Sequence, residues 1–339
     1  MQALMLHSPR NLVLEHISVP EPGPDELLIK VAYVGICGSD LPRYRDGKVH
    51  SFPQILGHEF CGYVAKGSSD GKLKLGSPVV VVPLMPCFAC QPCKRGDYGL
   101  CEKYGFLGSR QPGGLSEYVV APKRNCLPLP LDMDLKLAAL IEPLTVAIHA
   151  VNKARLNVKD KALILGCGSI GLLLVAALKA KGFKDIVCVD LDDSRLALAK
   201  EIGASAVVNA KDAEEQDFAV NLVFESAGSP VTQRLSIKYA AKSAQIVFVG
   251  TATKKLELEP EVFELILRKE LALYGSWMSY SKPFPGQEWQ DAISYLSQRV
   301  IKIDGLIGGV YSLAQMQQGF EDVLSQKAIK VLCKLEGSI

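Results

Sequence analysis

The sequence predicts an α/β protein: a partly open β-barrel joined to a doubly wound parallel sheet. Three observations carry this. The first third reads as short β-type runs cut by Pro and Gly. From about residue 160, apolar strands alternate with helical patterns, the signature of a parallel sheet covered on both faces. The last stretch then turns irregular, becomes helical and closes on one strand. The 339 residues, 48% hydrophobic and 22% charged, suffice for the cores of two medium domains.

In chain order, 27–33 is a β-type run, and 63–65 and 79–82 are further strands. "PEPGPDE" at 20–26 and "RQPGG" at 110–114 mark turns, and "EYVVA" at 117–121 adds a strand. The character changes near 135. Residues 137–141 form an apolar helical turn, and Pro143 opens a helix over 144–154, since proline suits the first helical turn. Then follow a strand at 162–165, a helix at 170–181, a strand at 186–190, a helix at 194–202, and strands at 222–225 and 245–250. After Trp277 comes "SYSKPFPGQEW", then a helix, then a closing strand at 330–334. The expected domains are 1–149 with 281–339, and 150–280 inserted between them.

Net charge is +2 with the signs intermixed, so neither nucleic acid nor an anionic membrane is an expected partner. "MQALMLHSPR" lacks the pattern of a signal peptide, and runs such as 170–178 are too short to span a bilayer. Ten cysteines in that context imply a reducing, cytoplasmic setting. Cys61, Cys126, Cys167, Cys188 and Cys333 stand singly among apolar or small residues and read as small buried hydrophobes.

"LILGCGSIG" places Gly166, Gly168 and Gly171, with Ser169 and Ile170 between the last two, at a strand-to-helix turn. These glycines allow a tight turn and close approach to a pyrophosphate, which the helix N-terminus then binds. The next strand ends in Asp190, placed to accept from ribose hydroxyls and to repel a 2′-phosphate, so NAD is expected over NADP. Arg195 either reaches the ribose or adenine or is a solvated helix residue.

Cys87, Cys90, Cys93 and Cys101 supply four thiolates as C-x2-C-x2-C-x7-C. A redox pair would leave two cysteines unexplained, and a disulfide knot conflicts with a reducing compartment. An iron–sulfur cluster shares the ligand type. A closed structural zinc site is the expected answer. A dispersed set comprises Cys37 in "GICGSD", His58 and Glu59 in "LGHEF", and Glu142 in "IEPLTVAIH". Together these could build a mixed-ligand zinc site with an open position. Singly they read as a buried thiol, a core histidine and a helix-capping carboxylate. Spacing alone does not assemble them.

"GICGSD", "GHEFCGYV", "CFACQPCKRGDYGLC", "GGLSEYVV", "IEPLTVAIHA" and "LGCGSIG", in this order over nearly the whole chain, resemble the zinc-dependent medium-chain dehydrogenase/reductase family. Glu142 followed by Pro143 resembles its polyol dehydrogenase branch. The resemblance implies a GroES-like barrel with a Rossmann domain, two zinc ions, NAD, and a homodimer or homotetramer. It implies that Cys37, His58 and Glu142 hold a catalytic zinc, with Glu59 ligating directly or standing behind the ligands. It also implies that Asp40 hydrogen-bonds His58 and that Ser39 meets the substrate hydroxyl and starts its proton relay. Asp190 and Arg195 match the ribose-binding pair. Val249, Gly250, Thr251, Ser276 and Trp277 match segments at the nicotinamide end.

The implied reaction is oxidation of a secondary alcohol. A narrower resemblance, in "CGSDLPR", "VPLMPCFAC", "YGFLGSRQPGG" and "RKELALYGSWMSYSKPFPGQEW", points to a polyol phosphate. A phosphate requires a cationic cradle, for which Arg43 and Arg110 are candidates, with Lys48, His50 and Lys282 behind them. The competing readings are a neutral polyol, threonine, and a catalytically silent NAD-binding sensor. Two departures from the family pattern stand out: Gly76-Ser77-Pro78 where Gly-Asp is usual, after a short loop at 66–76, and Cys61 after "GHEF".

Overall fold

The computed structural model describes residues 1–67, 73–213, 216 and 218–335. Residues 68–72 of the short loop at 66–76 therefore lie outside the described residues. The chain forms two compact units, Met1–Glu142 with Tyr280–Gln298 and Ile307–Ile339, and Pro143–Ser279 with Arg299–Leu306. These limits differ from the expected domains. The break falls between Glu142 and Pro143, within the helix Ile141–Lys153, and 299–306 returns to the second unit. Leu144, Ala147, Ile148 and Val151 on that helix are fully buried and go with the second unit.

The first unit is built on the strand Glu26–Gly35. It pairs antiparallel with Glu59–Gly67 along one edge. Along the other, Tyr118–Pro122 takes its first half and Lys330–Lys334 its last residues. Sharing one edge between two strands is what leaves the barrel partly open. Pro78–Val81 and Cys126–Pro128 extend the sheet on one side, and Ile307–Ser312 extends it on the other as a parallel neighbour of Lys330–Lys334. Leu6, Leu27, Ile29, Phe60, Tyr44 and Phe320 are fully buried in one core.

The strands expected at 27–33, 63–65, 79–82, 117–121 and 330–334 all form, with ends shifted by a few residues. The hairpin Gln2–Ser8 with Asn11–His16 was not legible. Its turn carries Arg10 at φ 59 instead of an Asn-Gly or Asp-Gly signal.

The second unit holds six parallel strands in the order Ala206–Asn209, Ile186–Asp190, Ala162–Leu165, Val220–Glu225, Ala240–Phe248, Ala272–Gly275. The order reverses at Ala162–Leu165, the place where open α/β sheets bind ligands. The inner strands are buried apolar runs and read clearly. The outer ones, Ala206–Asn209 and Ala272–Gly275, are half-exposed and gave no such run. Asp192 caps the helix Asp193–Ile202 by accepting from Ser194 and Arg195 N–H, and Ser229 caps Pro230–Tyr239. Among the described residues no helix is long and apolar enough to cross a membrane.

Candidate functional site

Cys37 follows the end of the strand Glu26–Gly35, and His58 and Glu59 open the neighbouring strand Glu59–Gly67. Sheet pairing thus gathers what sequence spacing did not. Ligand atoms of Cys37, His58 and Glu59 lie within 4.8 Å of one another. Glu142 stands beside this set, near enough to feel the charges of His58 and Glu59, but outside that group. Burial pushes the Glu142 carboxyl up to about 7; His58 opposes this and Glu59 adds to it.

His58 is buried and turns its Nδ1 toward Asp40, with Oδ1 at 3.4 Å, which leaves Nε2 as the nitrogen that could bind an ion. The expected Asp40–His58 hydrogen bond is a close ionic contact without hydrogen-bond alignment. Burial alone would lift the Asp40 carboxyl, yet the His58 and Arg43 charges and the Cys37 N–H bring it below the ordinary range. Ser39 caps the helix Asp40–Asp46 without using its hydroxyl for the cap. That hydroxyl instead accepts from Arg43 Nη1 at 3.2 Å.

Lys330 is the residue that sequence reasoning missed. It is 2% exposed, and its Nζ donates to Glu59 Oε1 at 2.8 Å, Glu59 Oε2 at 2.6 Å and Ile36 O at 3.0 Å. Gly35 makes the pairing possible. It lies between Glu59 and Leu332 in register, and a Cβ there would stand 2.3 Å from Glu59 Oε2. The available signal was a lysine in the strand "KVLCK" with apolar neighbours, which is costly to bury without a carboxylate.

The four cysteines of the 87–101 loop come together with ligand atoms within 4.8 Å, and none is in a disulfide. Cys87 Sγ is 4.0 Å from Cys93 Sγ, and Cys90 Sγ is 3.9 Å from Cys101 Sγ. Tetrahedral zinc with ~2.3 Å bonds sets its sulfurs ~3.8 Å apart, so the quartet fits that ion. Backbone N–H groups of Ala89 and Cys90 bring the Cys87 thiol down to about 6, near the ionised form a metal requires.

In the second unit, Gly166 has φ +96, open to glycine, and turns the strand into the helix Ser169–Ala180. Gly171 packs so closely that a Cβ would lie 1.9 Å from Gly166 O. Ser169 Oγ is buried without a partner at the helix start, where a phosphate oxygen would satisfy it. Asp190 is held by Cys167 N–H at 2.6 Å and Asp192 N–H at 3.0 Å, which fixes its carboxylate at the strand end. Arg195 lies 3.9 Å from Asp192. Val249 and Gly250 donate to Glu225 O just past the strand Ala240–Phe248, with Thr251 following. Ser276 Oγ is buried without a partner, and Trp277 is exposed.

Residues 23–131 match the family model of the alcohol dehydrogenase GroES-like domain, and 169–298 that of the zinc-binding dehydrogenases. The chain is 41% identical over 308 residues to galactitol 1-phosphate 5-dehydrogenase of Escherichia coli strain K12, covering 88% of this chain and 89% of that protein. This chain belongs to the zinc-dependent medium-chain dehydrogenases. It is 33% identical over 341 residues to sorbitol dehydrogenase of Bacillus subtilis, covering 96% and 94% of the two chains. Its fold superposes on the crystal structure of galactitol-1-phosphate dehydrogenase from Escherichia coli with a TM-score of 0.92, at 38% identity and coverage of 98% and 100%.

As a member of this polyol branch, the chain is an NAD-dependent oxidoreductase acting on a small alcohol. A ladder of rings leads outward from His58. His58 meets Phe106 edge-on at 5.6 Å, Phe106 meets Tyr104 at 6.5 Å, and the Arg110 guanidinium lies 4.3 Å over Tyr104. Lys48, His50 and Lys282 are exposed.

Proposed function

We propose that this dehydrogenase oxidises a secondary alcohol of a polyol phosphate, of the galactitol 1-phosphate kind, to the keto-sugar phosphate with NAD. The ring ladder from His58 to Arg110 carries the phosphate part. It links His58 through Phe106 and Tyr104 to a planar guanidinium, a group suited to bidentate phosphate contact. Arg43, the other cationic candidate, already commits its Nη1 to Ser39 and Asp40. The resemblance to a galactitol 1-phosphate enzyme supports the same substrate class.

Cys37, His58 and Glu142 would hold the catalytic zinc, with Glu59 beside them bound by the Lys330 ammonium. Cys87, Cys90, Cys93 and Cys101 hold the second zinc. When bound, zinc supplies the Lewis acidity that makes the hydroxyl acidic near neutral pH, and the nicotinamide takes the hydride. Ser39 receives the hydroxyl proton and passes its own outward. Asp40 keeps Nδ1 of His58 turned away from the metal. Gly166, Gly168, Ser169, Ile170 and Gly171 receive the pyrophosphate. Asp190 receives the adenosine ribose, with Arg195 beside it. Val249, Gly250, Thr251, Ser276 and Trp277 line the nicotinamide end.

The ten free thiols fit a cytoplasmic setting. The macromolecular partner is a second copy of the chain, docking on the outer strand Ala272–Gly275, where Leu273 is 43% exposed. Leu273→Asp would then give a smaller species in size-exclusion chromatography; an unchanged elution volume rejects that contact.

A substrate panel of galactitol 1-phosphate, galactitol, sorbitol and threonine, each with NAD and NADP, tests the reading. Arg110→Ala should raise KM for the phosphorylated polyol ~10- to 100-fold, the equivalent of a charge-assisted hydrogen bond of ~1.5–3 kcal/mol, and leave the neutral polyol unaffected. Equal effects on both would exclude Arg110 as the phosphate contact. Turnover of sorbitol above all phosphorylated substrates would transfer the assignment to neutral polyols.

A further inference from the structure

Ser39 is the N-cap of the helix Asp40–Asp46, a place where serine ordinarily spends its hydroxyl oxygen on a backbone N–H of the first turn. Here no such bond forms. Arg43 takes its place. Residues three and four apart share a helix face, so Arg43 reaches back over both Asp40 and Ser39. Its Nη1 donates to Ser39 O at 3.0 Å, Ser39 Oγ at 3.2 Å and Asp40 Oδ1 at 3.0 Å. Asp40 is 1% exposed and also accepts from Cys37 N–H at 3.2 Å, which anchors the guanidinium to the metal-binding loop.

We propose that Arg43 is a positioning residue for the proton-transfer step, acting through the hydroxyl of Ser39. Holding the carbonyl and the hydroxyl of one residue at once locks its χ1. A hydroxyl oxygen that accepts from a cation cannot aim its own proton at that cation. One lone pair of Ser39 is thus occupied, one remains to accept the substrate proton, and the Ser39 proton is directed away from Arg43. In the overall step the carbinol C–H leaves as hydride to oxidised NAD. The hydroxyl proton passes to Ser39 as Ser39 releases its own to water, and the C–O single bond becomes C=O. The proposal rests on Ser39 being the first proton acceptor.

The experiment is a double-mutant cycle on the zinc-loaded full chain, using Arg43→Met, Ser39→Ala and the pair. Arg43→Met should lower kcat ~10- to 100-fold, the cost of misplacing a reacting group by about an ångström. KM should change by less than about threefold, both zinc ions should be retained, and the solvent isotope effect should grow. In the Ser39→Ala background the same substitution should leave kcat within about twofold. Arg43→Lys should recover part of the loss. A crystal structure of Arg43→Met should show Ser39 in more than one rotamer.

Losses that multiply in the double variant overturn the proposal, since Arg43 then acts without Ser39. So does a KM increase for the phosphorylated substrate at unchanged kcat, which makes Arg43 a phosphate contact. Loss of one zinc in Arg43→Met also overturns it, placing the effect on Asp40 and His58. Wild-type kcat in Ser39→Ala alone removes the relay reading itself, and that result is visible before any Arg43 variant is made.

Discussion

Lys330→Met isolates the charge on the buried partner of Glu59, because methionine nearly conserves the side-chain length and volume. Lys330 is 2% exposed and Glu59 0%, and the ammonium meets both carboxylate oxygens, at 2.8 and 2.6 Å. Removing one member of such a pair strands the other charge in the interior, at a cost of ~3–5 kcal/mol. For a unit of this size ~2–4 °C of Tm follows each kcal/mol, so Tm should fall by ~6–20 °C. Burial alone would lower the lysine, but Glu59 and Cys37 hold it above its ordinary 10.5. Its contribution is therefore complete below that value and is lost only as pH rises through the higher folded value. The deficit of the variant should be constant from neutral pH to about 10. Calorimetry of the zinc-loaded chain measures this, with Lys330→Met/Glu59→Gln as the companion. That double variant removes both charges of the contact and should recover more than half of the loss. Gly35→Ala attacks the same contact from between, since its Cβ would meet Glu59 Oε2 at 2.3 Å. A single variant melting within ~2 °C of the parent, or a double variant no better than the single, would refute this account.

Gly171→Ala puts a methyl 1.9 Å from Gly166 O, a backbone atom that cannot move aside. NAD affinity by calorimetric titration should fall ~10-fold or more, with zinc content unchanged; unaltered affinity would mean the pyrophosphate turn lies elsewhere. Tyr44 is fully buried against Phe320 and donates to Glu321, and burial together with that carboxylate lifts its phenol from 10.0 to about 12. A raised acid stabilises the fold below its unfolded value and loses that contribution above it. Urea unfolding should therefore weaken between pH 10.0 and about 12, less steeply in Tyr44→Phe; parallel profiles would count against it. Cys90→Ser should cost one zinc and lower Tm, whereas Cys37→Ser should abolish turnover with Tm nearly kept. Equal loss of stability in both would blur the division between a structural and a reacting metal.

The legible parts of the fold are those with local signatures. Ala162–Leu165 and Ile186–Asp190 are continuous apolar runs because both faces of the sheet are covered. The glycine turn between strand and helix is written in consecutive residues. The outer strands Ala206–Asn209 and Ala272–Gly275 are half-exposed, so their composition carries no period to read. The domain limit shifted for a related reason. Pro143 reads as a helix start, yet the helix begins at Ile141, and the proline sits within the first turn, where its missing N–H has no partner to lose.

The site divides along the same line. The cysteine quartet lies within fifteen residues and announces itself, whereas the set at Cys37, His58 and Glu59 exists only through the register that places Gly35 opposite Glu59. Lys330 is 271 residues from Glu59 in sequence, so no spacing rule connects them. Arg43 shows the converse. It lies close to Ser39 in sequence, and helical spacing allows the contact, but a seven-residue helix hidden between a turn and "DGK" offers no visible period. A cation near a metal loop then reads as a phosphate ligand. Its Nη1 is shared among Ser39 O, Ser39 Oγ and Asp40 Oδ1, which turns it inward, whereas the Arg110 guanidinium faces Tyr104; on the proposed function the phosphate would then fall to Arg110. Residue type alone offers both arginines the same phosphate role, and only their contacts set them apart: Arg43 is tied to Ser39 and Asp40, and Arg110 lies over Tyr104.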